Sequence, residues 1–584
     1  MRPAFLVIRK EVEHMKEFIK GADISSLPQM LREGKTYRDF SGNLQEPLKL
    51  LKQNGVNSIR LRLWNNPQNV PESGGHCGLT EVTALARQVK QAGFSFLLDF
   101  HYSDWWADPA QQNKPRDWAD LPPEKLEDAV YDFTCHALKT LKAAGACPDM
   151  VQVGNEIRSG MLFPDGAVSN WPELARLLNS GIRAVREICG PQTKVMLHLD
   201  QGGRYYYFEE WFDAALQHGV TDFDCIGLSY YPFWHGSFAD FRGTLDFLAK
   251  KYQKPMIVAE TAHAWRIGTN GMFSAAQEEA AGFPATPQGQ RQVLELIMNL
   301  TAAAPNGLGR GIYYWEPMMM PNAHGGWGED MGLFQPSGMP TAGLKAFVYE
   351  PHDRGEEIVK LYPAALGCVK VGTQPLLPQT VKALDWSGHL RAVPVRWKIS
   401  KSTFAAEGTV HLTGQTEGTT LPAELTAVCC SKMPAEQNLL TNGDFADKMN
   451  GWSLDTFYTD VSVKLQAEFT RSFPQPPETA AAFASKNNFH WKMERQQELT
   501  ESGDFRLSAD LSGDNTTGVK VFLTIRPDGG KSLQYPIFLT GSGWHTYAAD
   551  TVHLEPGAYF FGIEIQSPPI HGKVKAFCLM RTDT

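Results

Sequence analysis

The chain has 584 residues, more than one hydrophobic core supports, so several domains are expected. Its 55 basic against 64 acidic residues leave a net charge of −9, a mild acidity that argues against nucleic acid and against an acidic polymer as partner. No stretch of about eighteen consecutive apolar residues occurs, so no membrane span is expected.

Residues 1–19 carry Arg9, Lys10, Glu11, Glu13 and Lys16 where an export signal needs an unbroken apolar core, and the apolar run 5–8 is too short to serve. The nine cysteines, with Cys429 and Cys430 adjacent, read as reduced thiols rather than as a disulfide framework. The expectation is a cytoplasmic protein, or a secreted or cell-surface one if a leader has been removed.

Eight short runs then fit the strand template: 18–24, 58–64, 95–102, 150–157, 194–200, 225–231, 256–261 and 311–316. Between most of them lies a stretch with apolar residues three and four apart, as in 79–92, 126–144 and 288–300, which predicts helices. Strand and helix in alternation predict a parallel sheet, and eight such units a closed (β/α)8 barrel. Several runs are apolar on both faces, as strands between a filled interior and a helix ring should be.

Polar residues gather at the C-terminal ends of these runs, the end that carries catalysis in such barrels. Glu156 and Glu260 close the fourth and seventh runs. Arg60 and Arg62 lie on the second, His101 and Asp104 follow the third, and Asp200 follows the fifth. Tyr230 and Tyr231 end the sixth run, Trp315 and Glu316 the eighth. One glutamate after a strand is usually a solvated charge or half of an ion pair. Two of them, flanked by Arg, His, Asn, Tyr and Trp at one barrel end, are the minimal equipment for glycoside hydrolysis. His198 with Asp200 resembles a metal pair, but no third ligand at suitable spacing is evident, so no metal is expected.

At these positions the chain resembles family 53 of the glycoside hydrolases, the endo-β-1,4-galactanases. The matching stretches are Gly21-Ala22-Asp23-Ile24-Ser25, Ile59-Arg60-Leu61-Arg62-Leu63-Trp64, and the run from Asp99 to Pro109 with His101-Tyr102-Ser103-Asp104-Trp105-Trp106. Gln152-Val153-Gly154-Asn155-Glu156, Ser229-Tyr230-Tyr231-Pro232-Phe233-Trp234, Ala259-Glu260-Thr261 and Tyr314-Trp315-Glu316-Pro317 complete the likeness over roughly 15–350. The resemblance implies a retaining double displacement on β-1,4-galactan or arabinogalactan, with Glu156 as acid/base and Glu260 as nucleophile. Arg60 is the implied cation beside Glu260, Asn155 the contact to the sugar 2-hydroxyl, and Trp315 the platform under the cleaved sugar. His101 and Tyr230 are expected to orient Glu260 or bind hydroxyls, Asp104 to contact substrate, and Trp64, Trp105, Trp106, Trp234 and Trp265 are further groove candidates. Rivals are a related clan enzyme acting on short galacto-oligosaccharides and a non-catalytic galactan-binding protein.

Many family members follow the nucleophile with Tyr-Pro, whereas here Thr261 and Ala262 precede His263, Ala264 and Trp265. Bacterial relatives often hold a structural calcium between loops seven and eight through clustered Asp, Asn and His. The stretch 266–290 offers Asn270, Glu278 and Glu279 and no aspartate, so its composition does not support calcium and no cofactor is expected.

The barrel is assigned to 1–355. Residues 356–432 read as short strands with Trp386 and Trp397 in their core, and resemble a bacterial immunoglobulin-like module. After a polar linker, 438–584 opens with Asn438-Leu439-Leu440-Thr441-Asn442-Gly443-Asp444-Phe445 and resembles a jelly-roll carbohydrate-binding module. Two all-β sandwiches are therefore expected behind the barrel. Phe457, Tyr458, Phe489, Trp491 and Trp544 are the stacking candidates there, and Trp452 the core candidate.

Overall fold

The computed structural model describes residues 17–582 except 322–325, 376, 401, 431–438, 441, 444, 446–448, 450, 457–461, 469–477, 485–488, 514–519, 538–543 and 568–570. The chain divides into two units, Met1–Arg354 and Gly355–Thr584.

The first unit is a closed parallel barrel. Its strands are β1 (Ile19–Asp23), β2 (Ser58–Leu63), β3 (Ser95–Phe100), β4 (Met150–Val153), β5 (Lys194–Leu199), β6 (Cys225–Ser229), β7 (Met256–Thr261) and β8 (Gly309–Trp315), with β8 paired to β1. All eight expected runs are strands, but β3, β4 and β6 stop two to four residues early. The backbone there turns out of the strand: Tyr102 has φ 49°, Gly154 φ 86° and Glu156 φ 47°. The helix expected at 126–144 begins at Pro123, a residue pre-set for the first helical turn, and ends at Ala143.

Period two along the strands layers the interior. Leu97, Met150, Met196, Cys225, Ile257, Ala259 and Tyr313 form an apolar cluster. On β3, β4 and β5 the residue two positions further on is polar: Asp99 after Leu97, Gln152 after Met150, His198 after Met196, all fully buried. Two glycines make room for the large side chains. A Cβ on Gly21 would fall 2.2 Å from Tyr313 Cδ1, and one on Gly227 would fall 2.6 Å from Met196 Sδ and 3.2 Å from His198 Cβ.

The second unit is all β. Six strands between Ile358 and Cys430 form one path, in which Leu390–Trp397 pairs first with Thr380–Asp385 and then, from Val395, with Gly408–Thr416. Val369, Phe404, Leu412, Leu425, Ala427 and Cys429 fill its core, with Trp397 packed against it. Beyond it, a five-stranded sheet (Trp452–Thr456, Phe489–Leu499, Gly557–Ser567, Lys520–Pro527, Leu533–Ile537) accompanies a second sheet built on Ser462–Glu468, Glu478–Ala484, His571–Arg581, Gly503–Gly513 and His545–Ala548. Trp452, Trp491, Leu507, Leu523, Phe561 and Phe577 belong to one core drawn from both sheets. Part of the opening motif 438–445 lies outside the described residues.

Candidate active site

Residues that leave β3, β4, β5 and β8 at the C-terminal rim carry positive φ without being glycine: Tyr102, Glu156, Gln201 and Glu316. Such conformations persist only where surrounding structure holds them, and they collect at functional sites.

Arg60 organises the polar floor. Its Nη1 donates to Asp23 Oδ2 at 2.8 Å, and its Nη2 lies 2.8 Å from Asp99 Oδ2, 2.9 Å from Asn155 Oδ1 and 2.9 Å from Glu260 Oε1. Its Nε faces Gln152 Oε1 at 3.3 Å. The expected cation is therefore beside Glu260, but it is 1% exposed and shared among three carboxylates rather than turned toward a ligand. Glu260 also accepts from the Tyr231 hydroxyl at 3.1 Å. Burial pushes its pKa up to about 7 against the lowering pull of Arg60. Arg60 thus moderates the cost of burial without restoring an ordinary carboxylate.

Glu156 is half-buried. Its Oε1 accepts from Ser229 Oγ at 2.5 Å. Burial, then Glu260, then Asp200 raise its pKa well above the usual range. The two glutamates therefore repel each other's charge, and Glu260, with a guanidinium attached, loses its proton first. One protonated and one ionised carboxyl at a single pH is the arrangement that acid-assisted nucleophilic displacement requires.

Four residues expected to meet substrate have protein partners in this structure. Tyr230 is fully buried, donates to the Gly236 carbonyl at 3.0 Å and stacks on Phe241 at 4.2 Å, away from the glutamates. Tyr231 meets Glu260 instead, because it continues the phase of Gly227 and Ser229 along β6. His101 is buried between Asp99 Oδ2 and the Ala107 amide, each 3.0 Å away, so it steadies Asp99. Asp104 is buried and receives the Asn66 amide, Asn69 Nδ2 and the Arg116 amide within 2.9 Å, tying rim loops together. Asn155 is 5% exposed, and its Nδ2 donates to the Ala107 carbonyl at 2.8 Å.

Among the indoles, Trp315 and Trp105 are half-buried at the rim. Trp315 is braced edge-on by Trp327 at 4.5 Å, with Trp106 at 5.8 Å. Trp64 is 2% exposed, covered by Trp105 at 4.6 Å, which makes it rim packing rather than a groove platform. Arg62 lies 4.2 Å from the Trp106 ring centroid and pairs with the buried Glu316. Trp234 is 41% exposed.

Sequence reasoning did not assign roles to Asp23, Asp99, Gln152 and Ser229, although the inward phase of their strands was a usable signal. His198 bonds Ser229, and Asp200 accepts from Arg158 Nε at 2.7 Å, so the two do not act as a pair. Loops seven and eight are joined by Arg266, whose guanidinium pairs with Glu329 at 2.6 Å, and by Asp330, which accepts the Phe273 amide at 2.9 Å. The Arg266 guanidinium places positive charge at this junction, while Asp330 Oδ1 has no hydrogen-bond partner among the described residues. In the C-terminal sandwich Trp491 is fully buried against Phe483 and is core, not a stacking platform. Trp544 is half-buried beneath Lys575 Nζ at 4.5 Å. Phe457, Tyr458 and the Phe489 side chain lie outside the described residues. Trp452 is 8% exposed, as a core residue should be.

Residues 19–347 match the family described as Glycosyl hydrolase family 53, and residues 367–419 match Bacterial Ig-like domain (group 4). The chain is 34% identical over 336 residues to the arabinogalactan endo-beta-1,4-galactanase of Thermothelomyces thermophilus, covering 56% of this chain and 98% of that one. It is 34% identical over 362 residues to the endo-beta-1,4-galactanase of Bacillus subtilis, covering 59% and 81%. Among solved structures it is similar to the family 53 catalytic domain of Ignisphaera aggregans, with 39% identity, a TM-score of 0.54, and 57% and 97% of the two chains covered.

Proposed function

The chain belongs to glycosyl hydrolase family 53, and we propose that it cleaves β-1,4-galactan and the galactan chains of arabinogalactan with Glu156 as acid/base and Glu260 as nucleophile. The activity is that of a retaining endo-β-1,4-galactanase. The observation that carries the assignment of roles is the unequal pairing of the two carboxyls: Glu260 is buried with a guanidinium at 2.9 Å, whereas among the described residues the half-buried Glu156 carboxyl is bonded by the Ser229 hydroxyl alone.

In the first step ionised Glu260 attacks the anomeric carbon while protonated Glu156 passes its proton to the leaving glycosidic oxygen. Positive charge develops on the ring carbon and its oxygen in the transition state, next to the buried carboxylates Asp23, Asp99 and Glu260 around Arg60. Once Glu260 is an ester it bears no charge, the share of the Glu156 shift that its repulsion added to burial is lost, and Glu156 accepts a proton from water. That water attacks the same carbon and releases Glu260. Trp315, a flat apolar surface braced by Trp327, covers the C–H face of the sugar in the cleaved position.

Azide separates the two roles. With Glu260→Ala, azide takes the empty nucleophile position and yields the α-galactosyl azide. With Glu156→Ala, it attacks the galactosyl enzyme and yields the β-azide. Azide products of the opposite configurations would overturn the assignment. Product lengths from linear β-1,4-galactan over time test endo cleavage, which predicts mixed short products early.

A further inference from the structure

His198 is fully buried on β5, and the hydrogen bonds around it run in one consistent direction. The Glu156 backbone N–H can only donate, and it points at His198 Nδ1 from 3.4 Å. The Gln152 amide nitrogen stands 3.0 Å from the same atom. Gln152 is itself oriented by Arg60 Nε–H, an obligate donor to Gln152 Oε1. Nδ1 therefore presents a lone pair, and a neutral ring carries its hydrogen on Nε2. The ring is neutral, because burial and then the Arg60 guanidinium hold His198 well below the ordinary histidine range. Its Nε2–H meets Ser229 Oγ at 2.9 Å. That contact occupies the hydroxyl as an acceptor, so its one hydrogen is directed to Glu156 Oε1 at 2.5 Å. Asn155 Oδ1, 3.1 Å from Nδ1, already accepts from Arg60 and from Gln152, whose two amide hydrogens are shared among Asn155 Oδ1, His198 Nδ1 and the Gly154 carbonyl at 3.2 Å; the Glu156 N–H, which has no such choice, keeps the lone pair on Nδ1.

We propose that His198 and Ser229 are positioning residues that divide the labour between the two oxygens of Glu156: Oε1 is kept as a permanent acceptor, and the catalytic proton resides on Oε2. This rests on Glu156 being the acid/base. Among the described residues Oε2 has no hydrogen-bond partner and is the oxygen available to a glycosidic bond. Without the chain, the Ser229 hydroxyl is free to rotate and neutral Glu156 can hold its proton on the wrong oxygen. The chain also stabilises ionised Glu156, opposing burial and the carboxylates of Glu260, Asp200 and Asp108 that face it. Arg60, Asp99, His101 and His235 are the charged or titratable groups that face His198.

The test is the pH profile of kcat/KM on linear β-1,4-galactan, with a melting curve for each variant. Ser229→Ala removes the donor to Oε1, so kcat falls about tenfold and the basic limb moves to higher pH. The acidic limb, set by Glu260, stays in place. His198→Gln keeps an N–H near the position of Nε2 and retains the basic limb of the wild type, whereas His198→Asn falls short of Ser229 and shifts as Ser229→Ala does. A basic limb unmoved by Ser229→Ala, or identical profiles for the two His198 variants, overturns the proposal. Glu156→Gln separates the two readings. If it abolishes turnover while Ser229→Ala leaves the limb unmoved, the acid/base role stands and the relay falls; if it keeps the wild-type profile, the acid/base role itself falls.

Discussion

Replacing Tyr231 by Phe removes the phenolic O–H that donates to Glu260 Oε2 at 3.1 Å and leaves the ring packed against Phe233, Trp234 and Trp327. A hydrogen bond to a charged acceptor contributes about 1.5–3 kcal/mol, and a length of 3.1 Å favours the lower end. About 1.4 kcal/mol corresponds to one pKa unit. Glu260 already titrates at about 7 because burial outweighs Arg60. A donor to the ionised form lowers a carboxyl pKa, so its loss raises it. The acidic limb of kcat/KM on β-1,4-galactan should move up by about one pH unit, with activity roughly tenfold lower below the limb and little changed above it. Tyr230→Phe is the control: its hydroxyl serves the Gly236 carbonyl, so it costs about 1 kcal/mol of stability and leaves the limb in place. If Tyr230→Phe moves the limb, or Tyr231→Phe does not, the assignment of the inward tyrosine is refuted.

Arg60→Met leaves Asp23, Asp99 and Glu260 buried without their shared cation, so unfolding free energy should fall by about 3–5 kcal/mol in denaturant titrations; an unchanged midpoint contradicts it. Glu156 binds its proton more tightly folded than unfolded, so its contribution is fully present below the unfolded carboxylate range and is lost as pH rises through the raised folded pKa. Glu156→Gln should therefore melt higher than wild type at pH 8, and the two should converge at pH 4. Cys147 and Cys189, with sulfurs 3.5 Å apart and 42 residues apart in sequence, should close a disulfide when oxidised glutathione is supplied. Chain entropy predicts about 4 kcal/mol of stabilisation, read as a raised melting temperature that Cys147→Ser abolishes. Trp315→Ala should lower kcat/KM on galactan by about two orders of magnitude through lost apolar cover, and an effect under threefold would count against the platform.

The barrel was legible because its strands and helices carry different apolar periods, and because buried parallel strands permit apolar residues on both faces. Glu156 and Glu260 were legible for a related reason: each stands where an apolar run stops. The same alternation along β6 separates Tyr231 from Tyr230, yet both follow the strand end, where the phase is easily lost. Trp491 fills the core, and an aromatic in a β sandwich has the same local pattern whether it fills the core or lines a sheet face.

The sequence by itself determined the eight-fold alternation, the family motifs and the two carboxyls, since each is written in local pattern and spacing. Only the closed barrel decided that one guanidinium from β2 would serve carboxylates from β1, β3 and β7, and that His198 on β5 would reach Glu156 through Ser229 on β6. The physical reason is that charge and hydrogen-bond partners act through distances of about 3 Å. Barrel closure sets those distances between residues far apart in the chain, where no local period can encode them.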